Sequence, residues 1–139
     1  MKLEDQVCSL ELAKKLKELR VKQKSIFYWH KRFLGDSFYL IKWIDYNHYD
    51  MDSKIFKDHF PDHYSAFTVA ELGEMLPENI HIFMLKVGKE EIPIWFCEAG
   101  ECNGEATNWE ETNDKNQANA IAKMLIHLIE NNLIEVPGK

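Results

Sequence analysis

With 139 residues, 45% of them hydrophobic and 29% charged, the chain has the length and composition of one globular domain able to bury a core, which excludes a disordered or low-complexity polymer. Three cysteines without framework spacing, no apolar run near the roughly 18 residues of a membrane span, and an N-terminal MKLEDQVCSL without a signal-peptide pattern exclude a disulfide scaffold and a spanning helix. The net charge of −6 is uneven: residues 1–42 hold ten Lys and Arg against five Asp and Glu, net +5, and residues 43–139 hold seven against eighteen, net −11.

The expected setting is a reducing cytoplasm with no membrane association. The charge split fits a basic helix on an acidic body, a nucleic-acid-facing arm, or a charge-complementary self-association.

In chain order, Ser9 is placed to cap a first helix running to about Arg20, with Cys8, Leu12, Leu16 and Leu19 as its apolar stripe and Lys14, Lys15, Lys17 and Glu18 outside. Ser25–Phe33 and Phe38–Ile44 are rich in aromatic and β-branched residues and flank Leu34-Gly35-Asp36-Ser37, the pattern of a β-hairpin. Asp45–Tyr64 has no sustained period and reads as a long connection, with one helical turn around Ser53–His59.

Tyr64–Leu76, YSAFTVAELGEML, carries the sharpest local signal. Thr68 and Glu71 have the spacing of a reciprocal capping box, and Val69, Leu72, Gly73 and Leu76 share one helical face before Pro77 ends the ladder. Gly73 costs about 1 kcal/mol in a helix relative to Ala, so the expectation is a close approach of another backbone there.

Asn79–Gly100 predicts a second hairpin, Ile80–Val87 and Ile92–Glu98 around Gly88 and Lys89, with Pro93 marking its strand as an edge. Glu98–Asn113 reads as an acidic loop, after which Asn113 or Asp114 caps the longest helix, to about Asn131. On that helix the apolar residues fill an arc of about 200°, wider than the usual core stripe. The helix is expected to be central or half of an interface, with Met124 and Leu128 at one edge assigned to a self-association surface. The fold class is α+β: two helix–hairpin units, αββ-αββ, closed by the long C-terminal helix, with an antiparallel sheet and helices on one face.

The blocks VCSLELAKKLKELRVKQKSIFYW, YSAFTVAELGEML and AKMLIHLIENNLI resemble a family of small uncharacterised proteins encoded by gut bacteria and their phages or prophages. The resemblance implies a cytoplasmic, mobile-element setting and brings no catalytic residues with it.

Three chemistries compete for the remaining residues. Imidazoles and carboxylates crowd between His48 and His63, so a metal site would draw on His48, Asp50, His59 and His63, although Pro61 interrupts the helix that would align the last two. A thiol nucleophile at Cys97 or Cys102 needs a base such as His81 or His127; Cys97, alternating with Trp95, reads instead as a small core hydrophobe. A nucleic-acid surface would use Lys14, Lys17, Lys24, Lys31 and Arg32 interleaved with Tyr28 and Trp29. Phe67–Leu76 is also similar to the first helix of helix-turn-helix proteins, but the strand-like IHIFML stands where a recognition helix belongs. No triad, phosphate loop or metal signature is present and no cofactor is implied, so the expectation is a non-catalytic module that binds another macromolecule, a protein partner first.

Overall fold

The computed structural model describes residues 2–31, 37–42, 63–99 and 110–138. A short 3-10 turn at Leu3–Asp5 leads to helix α1 (Leu10–Glu18), strands β1 (Phe27–Lys31), β2 (Phe38–Lys42) and β3 (His63–Ser65), helix α2 (Val69–Met75), strands β4 (Ile80–Val87), β5 (Ile92–Ala99) and β6 (Glu110–Asp114), and helix α3 (Gln117–Glu130). The fold is α+β, with two three-stranded antiparallel sheets ordered β2-β1-β3 and β4-β5-β6.

This differs from two helix–hairpin units. Each hairpin gains a third strand, added beside the first strand of the first hairpin and beside the second strand of the other. The two sheets therefore have different topologies.

Local chemistry explains the helix ends. The Ser9 hydroxyl accepts from the Leu12 amide, and α1 closes with Arg20 at φ 67° while the Val21 amide donates to the Leu16 carbonyl at 3.1 Å. The Thr68–Glu71 capping box is present in both directions. Asn116, rather than Asn113 or Asp114, caps α3 by accepting from the Asn119 amide, because the residues before it are already committed to β6. At the other end of α3, Asn132 takes φ 55° and the Leu133 amide reaches the Leu128 carbonyl at 2.9 Å.

Helix α3 is the centre of the molecule, packed by α1, α2, β5 and β6. Ala118, Ile121, Ala122, Met124, Leu125, Leu128 and Ile129 are all buried, in one cluster with Cys8, Ala13, Leu16, Phe67, Leu72 and Cys97. Its polar stripe is also engaged. Lys123 Nζ lies 2.7 Å from Asp114 Oδ2, His127 Nε2 lies 3.2 Å from Glu110 Oε2, and Glu130 Oε1 lies 3.0 Å from Lys15 Nζ. The Thr112 hydroxyl adds a 2.7 Å bond to the Ala120 carbonyl. Glu110, Thr112 and Asp114 alternate along β6 and so share one face of the strand. That is why the acidic EETND, expected as loop, forms a strand here: its backbone pairs with β5 and one row of its side chains meets the polar stripe of the helix.

The wide apolar arc thus closes the core from several sides. Met124 and Leu128 are buried within it and offer no partner surface, which corrects their assignment to an interface. Gly73 is corrected as well: it is exposed, and a Cβ built there meets nothing within 4 Å, so no backbone among the described residues approaches it. Pro93 does not mark an edge strand either, since β5 lies in the middle of its sheet. The β6 ladder, however, begins only at Trp95 opposite Asp114, which leaves Pro93 with a single neighbour, Lys86 on β4.

Glu71 is a second organiser of the fold. Its Oε2 accepts from the Thr68 amide at 2.8 Å and from the Ser25 hydroxyl at 2.8 Å, and its Oε1 accepts from the Ile26 amide at 2.9 Å. One carboxylate therefore caps α2 and fixes the chain entering β1.

Candidate functional site

The nucleic-acid constellation is not assembled on one surface. Tyr28 is buried, and its hydroxyl accepts from the Ser25 amide at 2.9 Å while lying 3.4 Å from the Gln23 carbonyl, so its ring is no stacking platform. Trp29 packs against the core with its indole N–H donating to the Cys8 carbonyl at 3.0 Å. Lys14 and Lys17, half-buried on α1, reach across the first sheet. Lys14 Nζ stands 5.0 Å from the Phe38 ring centroid, Lys17 Nζ stands 4.9 Å from that of Tyr64, and Lys17 also donates to the His63 carbonyl at 3.0 Å. Lys31 ends β1. Lys24 lies elsewhere, in a groove of about 710 Å³ lined also by Lys22, Glu71, Glu74 and Glu135, where three carboxylates stand against two ammonium groups. Arg32 lies outside the described residues.

Of the metal candidates, His48, Asp50 and His59 lie outside the described residues, as does the helical turn expected around 53–59. His63 is buried in β3, opposite His30 of β1, with its ring 6.1 Å from that of Tyr28. Among the described residues no group of three or more His, Cys, Asp or Glu is placed to hold a metal ion.

Cys8 and Cys97 are both buried free thiols, and burial pushes each up to about 12. A thiol held there stays protonated near neutrality and is a poor nucleophile. Cys97 acts as the core hydrophobe that its alternation with Trp95 implied; Cys102 lies outside the described residues.

What the structure does expose is one long strand. β4 is an edge of its sheet and pairs only with β5 among the described residues. Four of its eight residues are large, apolar and open to solvent: Ile82 at 37%, Met84 at 40%, Leu85 at 52% and Val87 at 43% exposure. They occupy both faces. Ile82 and Met84 lie opposite Cys97 and Trp95, on the face that meets α3, but of this hairpin it is Ile80, Cys97 and Ala99 that join the core, and Ile82 and Met84 stay outside it. Leu85 and Val87 lie on the other face with Phe83, whose ring stacks on Phe96 at 5.3 Å and 8°. The hairpin turns through Gly88, at φ 79°, with the Glu91 amide donating to the Gly88 carbonyl at 3.2 Å.

Natural edge strands are commonly protected by inward charges, proline or brevity. β4 has eight residues, no proline and no acid, and Lys86 is its one full charge. The signal was present in the sequence: Ile82-Phe83-Met84-Leu85 is apolar at consecutive positions, which a strand covered on one face does not need. Without the strand order, the same run also fits a central strand buried on both sides.

No described helix is long and apolar enough to cross a membrane. Compared with known proteins, the chain matches no family model, no curated protein and no solved structure.

Proposed function

We propose that this protein is a small non-catalytic binding module, an accessory protein of the mobile-element setting its sequence blocks resemble, which docks a protein partner on the β4 edge and the outer part of the β4–β5 hairpin. The observation that supports this most is the combination in β4 of a backbone edge unpaired among the described residues with four exposed large apolar side chains. An extended segment laid along such an edge gains main-chain hydrogen bonds, and Ile82, Met84, Leu85 and Val87 supply the apolar contacts that select it.

The test is photocrosslinking in cells that express the full chain with a benzophenone amino acid at Leu85, against a control at the exposed Glu11 on α1. The reading expects a discrete adduct from position 85 that is absent from position 11. No adduct from position 85, in a protein that is folded by circular dichroism, refutes it.

A further inference from the structure

We infer that the partner on the β4 edge is a second copy of this chain, joined by antiparallel β4–β4 pairing about a two-fold axis into a continuous six-stranded sheet. The inference rests on the docking reading above and names its occupant.

The argument is one of self-complementarity. In an antiparallel ladder, alternate residues of an edge strand direct both N–H and C=O outward, so two identical edges satisfy each other without any change in the backbone. A two-fold axis normal to the sheet keeps each face on its own side and sets some residue opposite its own copy. Centred on Phe83, that register places Ile82 opposite Met84 of the second copy, twice, so the two apolar groups exposed on the helix-side face cover each other. On the other face Phe83 meets Phe83, and Leu85 lies opposite His81. Lys86 comes opposite Ile80, and no two charges of one sign are opposed.

The charges at the strand ends also agree. A chain of net −6 repels its own copies over most of its surface, but residues 79–89 contain no acid and include Lys86 and Lys89. Glu78 stands just before β4 and Lys89 just after it, both exposed. Antiparallel pairing brings the start of one strand to the end of the other, so in this register Glu78 of each copy lies opposite Gly88 of its mate, one residue from Lys89. Parallel pairing does not. Pairing of β4 with the acidic β6 of another copy joins unlike edges and grows an open chain of molecules, whereas β4 with β4 closes at two.

The test uses the full chain in sedimentation and light scattering across concentration, with Met84→Lys as the disrupting variant and Leu133→Lys, at an exposed apolar site on the C-terminal segment, as the control. A dimer that persists in Leu133→Lys and becomes a monomer of native circular dichroism in Met84→Lys is expected. Glu78→Lys alone should weaken the dimer by about tenfold, and adding Lys89→Glu should restore it, because the swap re-forms both end pairs. A monomer at every concentration, a dimer indifferent to Met84→Lys, a charge swap that restores nothing, or an open series of oligomers each overturns the inference. The Leu85 crosslink separates the two proposals: an adduct at twice 16.4 kDa supports the second copy, an adduct of another mass overturns it while leaving β4 as a docking edge, and no adduct removes both.

Discussion

Asp114 and Lys123 form a 2.7 Å ion pair that fastens the polar strand β6 to the polar stripe of the central helix. Burial raises the Asp114 carboxyl, but the bond from Lys123, the Asn116 amide and Asn119 outweigh it and hold the group below its ordinary value. A depressed carboxylate contributes stability that is present above its unfolded value and lost as pH falls through its folded one. Wild type should therefore lose stability on acidification below the ordinary carboxylate range, and Asp114→Asn should flatten that part of the profile. With Lys123 substantially exposed, the loss near neutrality should stay within about 1 kcal/mol. Urea midpoints measured from pH 7 down to pH 3 check both expectations.

Glu71 gathers three donors, and a neutral residue there strands them. Glu71→Ala should cost about 2–3 kcal/mol, since bonds to a charged acceptor are individually stronger than neutral ones and the Thr68 and Ile26 amides lose their acceptor, while the Ser25 hydroxyl keeps only the Ala66 carbonyl. Glu71→Gln keeps one acceptor oxygen and should lose less. Chemical denaturation ranks the two; equal losses would show that the clamp on Ser25 and Ile26 contributes little beyond the cap.

Gly73 sits in the interior of α2 with open space where a side chain would go. Gly73→Ala should stabilise by about 0.5–1 kcal/mol, because the glycine's excess freedom in the unfolded chain is removed at no steric cost. The midpoint of a thermal melt should rise by about 2–5 °C. A fall would mean that the helix needs glycine for a reason other than space.

Met124 and Leu128 should behave as core. Met124→Ala and Leu128→Ala should each lose about 2–5 kcal/mol, and a glutamate at either site should unfold the chain rather than release a folded monomer. Near-ultraviolet circular dichroism distinguishes these outcomes: a native spectrum from Met124→Glu would return the residue to the surface.

Cys8 and Cys97 should resist thiol reagents in the native protein at pH 8 and react fully in denaturant, since both are buried and held as thiols. Mass spectrometry of the labelled peptides reads each site separately.

The elements legible from sequence are those fixed by contacts within a few residues. Thr68 and Glu71, three apart, specify the start of α2; Ser9 specifies the start of α1; Gly88 specifies the turn of the second hairpin; and the run from Ile121 to Ile129 specifies α3. None of these depends on where the rest of the chain lies, so the residues alone determined them, together with the α+β class. Strand order, coverage and exposure depend on pairs far apart in the chain, and only the tertiary structure decided them. β3 and β6 are short or polar and become strands through the backbones beside them. The 200° apolar arc of α3 marks a buried helix because α1, α2 and two strands surround it, where the same arc on a less covered helix is an interface. Tyr28, Met124 and Leu128 are withdrawn from the surface for that reason, and Ile82, Met84, Leu85 and Val87 are left on it. An apolar side chain carries the same transfer free energy wherever it stands; which ones meet water is settled by which strand the sheet leaves at its edge.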